Sequence, residues 1–151
     1  MTERRTTTEV PYSAAQMFDL VADIERYPEF LPWCVALRTI KHEGDAAKGA
    51  LTAEMVVAYK VFRERFKSRV LLDRAAGAVD VDYMDGPFRS LQNRWRFTDR
   101  PEGGSLIHFE IAFEFSNFIL QATARNVFDK AFSRMSEAFV TRADDIYDTA
   151  E

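Results

Sequence analysis

Several groups of side chains in this sequence have the types and spacing that chemistry requires. Gly44 and Gly49 stand at the spacing of the glycines in a phosphate-cradling loop. Such a loop carries Lys and then Ser or Thr after its second glycine. Here Lys48 precedes Gly49 and Ala50-Leu51 follows it, so the segment reads as a hairpin loop. Cys34 is the single cysteine. Acting as a nucleophile beside His42 or His108 would take a nearby base and an electropositive, accessible setting. Trp33 and the apolar run around it predict a buried thiol instead. One Cys and two His far apart in sequence argue against a zinc site, so no metal is expected, and a lone Cys forms no internal disulfide.

Glu110 and Glu114, and Asp80 and Asp82, are paired acids. Residues two apart on a strand lie about 7 Å apart, but acid–base work on a glycoside also needs a cleft that perturbs one carboxyl. On charged strand faces these acids are expected to pair across strands with Arg63, Arg65 or Arg94. Arg63, Arg65, Lys67 and Arg69 form one basic row. It could meet anionic lipid headgroups, RNA phosphates or a partner, or be a solvated face balanced by acids. Ser68, Asn93 and Tyr83 are the polar candidates on otherwise apolar faces. They could orient a bound molecule by hydrogen bonds or take part in a reaction.

These groups must be held by elements whose periods are legible. Residues 2–10 are Thr-rich and suit an edge strand. Ser13 and Gln16 form a capping box, with Tyr12 and Met17 as a hydrophobic staple, and Met17, Leu20, Val21 and Ile24 keep helical spacing. Tyr27-Pro28 is expected to end this helix, and Pro28 to open a second short turn that Pro32 stops. The period then becomes two. Residues 35–43, 50–61 and 62–72 read as strands, followed by strands around Val79–Tyr83, Leu91–Phe97 and Ile107–Phe115. Short turns imply antiparallel pairing, and the alternation implies a sheet covered on one face. From about Asn117 to Ile146 there is no Gly or Pro, and Phe128, Phe132, Met135 and Phe139 share a helical face. That helix would be roughly 40 Å long and could lie across the sheet. The sheet side offers Leu51, Met55, Val57, Phe66, Val70, Val81, Leu91, Trp95, Phe97, Phe109, Ile111 and Phe113. Whether these faces meet as filled core or leave a pocket is not set by patterning.

The totals fit this picture. The chain has 151 residues, 47% hydrophobic and 29% charged, with 13 Phe. This is the size and composition of one soluble domain, expected to span 1–151. A net charge of -4 argues against non-specific nucleic-acid binding, and no DNA partner is expected. Nothing after Met1–Thr8 resembles a secretion signal, and no run reaches the ~18 apolar residues of a membrane span. A cytoplasmic protein is expected, with any membrane contact peripheral.

The run Val21-Ala22-Asp23-Ile24-Glu25-Arg26-Tyr27-Pro28-Glu29-Phe30-Leu31-Pro32-Trp33-Cys34 resembles the opening of the coenzyme-Q-binding START-domain family, within the polyketide cyclase/dehydrase superfamily. The same resemblance extends through Phe66-Lys67-Ser68-Arg69-Val70, through Gly86-Pro87-Phe88-Arg89-Ser90-Leu91-Gln92-Asn93-Arg94-Trp95-Arg96-Phe97 and through Phe113-Glu114-Phe115. Bacterial relatives carry the name of RatA-type ribosome-association toxins. The resemblance implies an α+β helix-grip fold (START/Bet v 1-like), a curved antiparallel sheet wrapped around the long C-terminal helix. It implies an internal hydrophobic tunnel that binds ubiquinone or a similar polyisoprenoid, a supporting role in respiration, no catalysis and no required cofactor. The expected lining is Phe30, Leu31, Trp33, Met55, Phe66, Ser68, Val70, Tyr83, Leu91, Asn93, Trp95, Phe109, Ile111, Phe113, Phe128, Phe132 and Met135. Phe30 to Trp33 would form a lid or an edge that touches the inner membrane, unless they only pack the short helices. Two other readings stay open. One is an interaction protein that blocks ribosomal subunit joining through Arg63, Arg65, Lys67 and Arg69. The other is a cyclase-like enzyme with a polar group in the cavity.

Overall fold

Alternating apolar and charged residues do build a sheet, and its bulges give it its shape. The computed structural model describes residues 2–31, 33–45, 47–59 and 62–147; the side chains of residues 2, 59, 62, 118–121, 123–131 and 136 lie outside that description. The strands are β1 (Thr2–Val10), β2 (Cys34–Gly44), β3 (Lys48–Tyr59), β4 (Phe62–Asp73), β5 (Ala78–Asp85), β6 (Phe88–Asp99) and β7 (Ser105–Phe115). All pair antiparallel in the order β1-β7-β6-β5-β4-β3-β2. β2 to β7 form a meander, and β1 adds to its far edge.

The pairing skips Val35 and Ile40 on β2, Met84 on β5 and Arg89 on β6. An extra residue of this kind bends a strand and increases its twist. It also breaks the alternation, which explains why Val35, Ile40 and Met84 are exposed although apolar. Beside the Ile40 bulge, the freed Thr39 N–H donates to Glu25 Oε2 at 3.0 Å.

α1 (Ala14–Ala22) starts as its sequence predicts. Gln16 N donates to Ser13 Oγ at 3.1 Å, and Ser13 N donates to Gln16 Oε1 at 2.9 Å. It ends earlier than Tyr27-Pro28. Asp23 leaves helical geometry, and a 3-10 helix, Ile24–Glu29, contains Pro28. The cause lies in Tyr27. Its hydroxyl donates to the Val21 carbonyl at 2.5 Å, satisfying an acceptor that the end of α1 leaves free. That reach requires the chain to turn at Asp23.

α2 (Phe118–Tyr147) lies over the concave face. Met17, Phe18, Leu20 and Val21 of α1 pack with Leu72, Val79, Phe97 and Ile107 of the sheet and with Phe139 and Ala143 of α2. Ala143 is fully buried, a small side chain where α2 approaches closely. The far end of α2 is tied down by polar contacts. Tyr147 Oη donates to the Gln16 carbonyl at 2.7 Å, and Tyr12 Oη donates to Asp144. Arg142 Nη2 meets Glu29 Oε1 at 2.7 Å, with its guanidinium 5.2 Å from the Phe30 ring centre. The result is a helix-grip α+β fold.

Candidate functional site

Sheet and helix do not meet everywhere. Between them lies a cavity of about 220 Å³. β3 to β7 supply its floor and walls, α2 supplies Phe132, Met135 and Phe139, and the segment from the 3-10 helix to β2 supplies Ile24, Tyr27, Leu31 and Trp33. Trp95 and Phe109 lie side by side at 4.3 Å between ring centres, tilted 42° to each other, with Phe139 edge-on to Trp95 at 5.0 Å and Phe132 stacked on Phe109 at 5.7 Å. At the other end Phe88 meets Phe66 edge-on at 5.3 Å. Gly86 permits this close turn, because a Cβ there would sit 2.6 Å from Phe66 Cβ.

Of the residues expected to line a pocket, Leu31, Trp33, Met55, Phe66, Ser68, Val70, Leu91, Asn93, Trp95, Phe109, Ile111, Phe132 and Met135 surround this cavity. Three others lie off it. Phe30 packs outside, against the rings of Tyr27 and Phe139 and under Arg142. The Tyr83 ring lies against Phe88, and its hydroxyl accepts the Phe88 N–H at 3.2 Å. Phe113 is buried in a separate cluster with Leu91 and Phe115. The side chain of Phe128 lies outside the described residues, as does Pro32. The cavity also takes in Ile24, Tyr27, Leu37, Ala53, Ala58, Val79, Phe88 and Phe115. Val79 and Phe115 follow the strand alternation and could have been read from it; Ile24 and Tyr27 depend on the 3-10 helix.

Among the described lining residues Tyr27 is the one with an acid–base side chain besides water-like hydroxyl and amide groups. Burial, with smaller contributions from Cys34 and Asp23, pushes its phenol well above the usual tyrosine range. Its proton is committed to the Val21 carbonyl. Ser68 Oγ and Asn93 Oδ1 are buried in the cavity wall with no hydrogen-bond partner among the described residues.

The remaining candidates are scattered. Cys34 is buried, and burial pushes its thiol from 9.0 up to about 11. A shift of that size lowers the thiolate fraction at pH 8 about 100-fold. Dithiobis-nitrobenzoate should therefore react with the folded protein at least about 100-fold more slowly than with the urea-unfolded chain. Equal rates would mean that the thiol is open. Because the folded pKa lies above the unfolded one, the associated stability is intact below pH 9 and is lost as pH rises through 11. His42 is exposed on β2, and His108 contacts Thr7 at 3.2 Å. Asp45 Oδ1 accepts the Ala47 and Lys48 amides, which closes the Gly44–Gly49 loop as a hairpin turn.

The acids do find cross-strand partners, though not all the expected ones. Asp80 meets Arg94 and Arg96, Asp82 meets Arg94, Glu110 meets Arg5 and Glu114 meets Arg89. Arg63 and Arg65 point from β4 to the outer face, too far along the strand to share these partners. No ion pair holds either one among the described residues. Arg69 approaches Glu43 at 3.9 Å, and Lys67 lies opposite Glu54 and Asp85 in the pairing.

Comparison with known proteins agrees with this architecture. A family described as polyketide cyclase / dehydrase and lipid transport matches residues 10–140. The ribosome association toxin RatA of Pseudomonas aeruginosa is 33% identical over 138 residues, covering 91% of this chain and 92% of that protein. The mitochondrial coenzyme Q-binding protein COQ10 homolog B of Xenopus laevis is 31% identical over 145 residues, covering 93% of this chain and 57% of that protein. Among solved structures, a START superfamily protein from Mycobacterium smegmatis superposes with a TM-score of 0.79 at 15% identity, covering 95% of this chain and 98% of the other.

Proposed function

The chain belongs to the polyketide cyclase / dehydrase and lipid transport family, and from that premise we propose that it binds ubiquinone or a similar polyisoprenoid lipid without transforming it, in support of respiratory electron transfer. The observation that carries this reading is the cavity itself, walled by Phe, Trp, Leu, Ile, Val and Met side chains. Transfer of apolar surface from water is worth ~25 cal/mol per Å², so burying about 200 Å² of a prenyl chain contributes about 5 kcal/mol before the cost of association. A cyclase would need an acid or base positioned on its substrate. The Tyr27 phenol, strongly raised and already donating to a carbonyl, is poorly suited to that task. The relative from Xenopus laevis is named for coenzyme Q binding, which supports the choice of lipid. No described helix is long and apolar enough to cross a membrane, so loading would take place at a membrane surface.

The test is extraction of the purified native protein with organic solvent, followed by ultraviolet absorbance and mass spectrometry. Near-stoichiometric quinone is the expected result. Protein that comes out empty and takes up no added quinone would sink the reading.

A second reading is favoured by the outer face of β4, where Arg63 and Arg65 stand exposed without ion pairs among the described residues. The relative from Pseudomonas aeruginosa is named for ribosome association. Basic side chains free of acidic partners suit a phosphate backbone. On this reading, replacing Arg63, Arg65 and Arg69 together by Glu removes co-sedimentation with ribosomal subunits and leaves lipid uptake intact. Unchanged co-sedimentation would count against it.

A further inference from the structure

We propose that the lipid enters the cavity polar end first, with a planar, oxygen-bearing ring held by Ser68 and Asn93 over the aromatic floor and the apolar tail directed outward. This rests on the lipid-binding reading above and adds an orientation and a headgroup chemistry to it.

The pairing of the strands fixes the arrangement. Val79, Trp95 and Phe109 form one row across the sheet. The next row toward the β3–β4 turn is Val70, Val81, Asn93 and Ile111, and the one after that joins Ser68 to Tyr83. Ser68 and Asn93 therefore flank β5 from either side, two residues out of step. With strands ~4.8 Å apart and ~3.3 Å of rise per residue, their Cα atoms lie about 12 Å apart. Concave curvature brings their side chains closer than that.

Both side chains are left wanting. Ser68 is 5% exposed, and its Oγ has no hydrogen-bond partner among the described residues. Asn93 Oδ1 has none either. Buried polar atoms in native proteins are nearly always hydrogen-bonded, and an unpaired one destabilises the fold. A hydroxyl gives or accepts a proton, and an amide presents either its N–H or its oxygen. Together they suit a ring with oxygens on opposite edges, a dione or its diol. A hydrocarbon chain in the same place would leave both unpaired.

The rest of the cavity sets the direction. On the Val79 side of Asn93 lie the rings of Trp95 and Phe109, tilted 42° to each other, aromatic partners for a ring-bearing headgroup. Toward the β3–β4 turn the lining is Met55, Val57, Ala58 and Phe66, without a polar side chain among the described residues. At about 220 Å³ the space is below the ~300–1,000 Å³ of sites that enclose a whole drug-sized ligand. It accepts a ring and the first part of a chain, and the remainder of a long tail stays outside.

The probes are a decyl-substituted dimethoxy-methyl-benzoquinone and decylbenzene, which has a ring and tail but no oxygens. Affinity is read from thermal shift, and location from fluorescence. In Trp33→Phe the one remaining indole is Trp95. The quinone should bind roughly tenfold or more tightly than decylbenzene, as expected for two neutral hydrogen bonds, and should quench Trp95. In the double variant Ser68→Ala, Asn93→Leu the preference should fall to within about twofold. The empty double variant should melt about 2–4 °C higher, because two unpaired polar groups have been removed. Residues that merely fill core would not raise Tm while erasing the preference. Equal binding of both probes to the unmodified protein overturns the ring-first inference and leaves lipid binding standing. Failure of both probes to bind overturns the two together. Quinone binding that spares Trp95, or a preference that survives the double variant, overturns the orientation or the assigned residues.

Discussion

Val81→Trp should abolish the proposed lipid uptake and leave a folded protein. Val81 lines the middle of the cavity on β5, between Val70 of β4 and Asn93 of β6. An indole at this position points into the space a ligand would occupy and takes up much of the 220 Å³ void. Lining atoms around an empty cavity lack dispersion partners, and filling it restores them. Overpacking costs typically 1–3 kcal/mol where no space exists; here space does exist, so melting should shift by only a few degrees in either direction. Quinone uptake, measured by extraction after incubation, should fall at least about 100-fold, since the apolar contact area that drives binding is lost. A variant that melts normally and still loads quinone would show that the lipid sits elsewhere.

Phe139→Ala should cost about 3–5 kcal/mol of stability, the usual range for removing a large buried aromatic. Phe139 is 2% exposed. Its ring is edge-on to Tyr27 at 5.3 Å, to Phe30 at 5.1 Å and to Trp95 at 5.0 Å. It thus joins α2, the 3-10 helix and the sheet at one point. Domains of this kind are held by only about 5–15 kcal/mol, so the variant loses a large part of the total. Urea denaturation would read the loss as a lower midpoint at unchanged slope. Ile146→Ala, on the same helix but 41% exposed, should lie within about 0.5–1 kcal/mol of the parent. A small effect at Phe139 would mean that the helix is not anchored through this residue.

Much of the fold was legible because the signals are local. The alternation of Phe66, Ser68 and Val70 against Arg65, Lys67 and Arg69 defines β4 without reference to any other strand. Ser13 and Gln16 define the start of α1 in the same way. What stayed hidden depends on distant contacts. The early end of α1 follows from the Tyr27 hydroxyl reaching Val21, which the proline signal does not carry. The bulges at Val35, Ile40, Met84 and Arg89 interrupt a period that reads as continuous. Phe109 and Phe113 share one strand face, yet the first lines the cavity and the second is packed in its own cluster. The alternation gives the face; the curvature of the sheet decides which part of that face meets α2.

The place of β1 has a consequence for how the protein is made. Its strand partner is β7, so that Thr7 meets His108, 101 positions later in the chain. On a ribosome the first strand emerges early and waits for the last strand before it can join the sheet. α2 comes later still, and until it arrives the part of the Phe- and Trp-rich concave face that α1 and the 3-10 helix leave open has no cover. Contacts this distant in sequence slow folding, and a growing chain with an open aromatic face is prone to aggregate. Nascent chains halted before Phe118 should therefore depend on holdase chaperones, and that dependence should end once α2 has been synthesised in full.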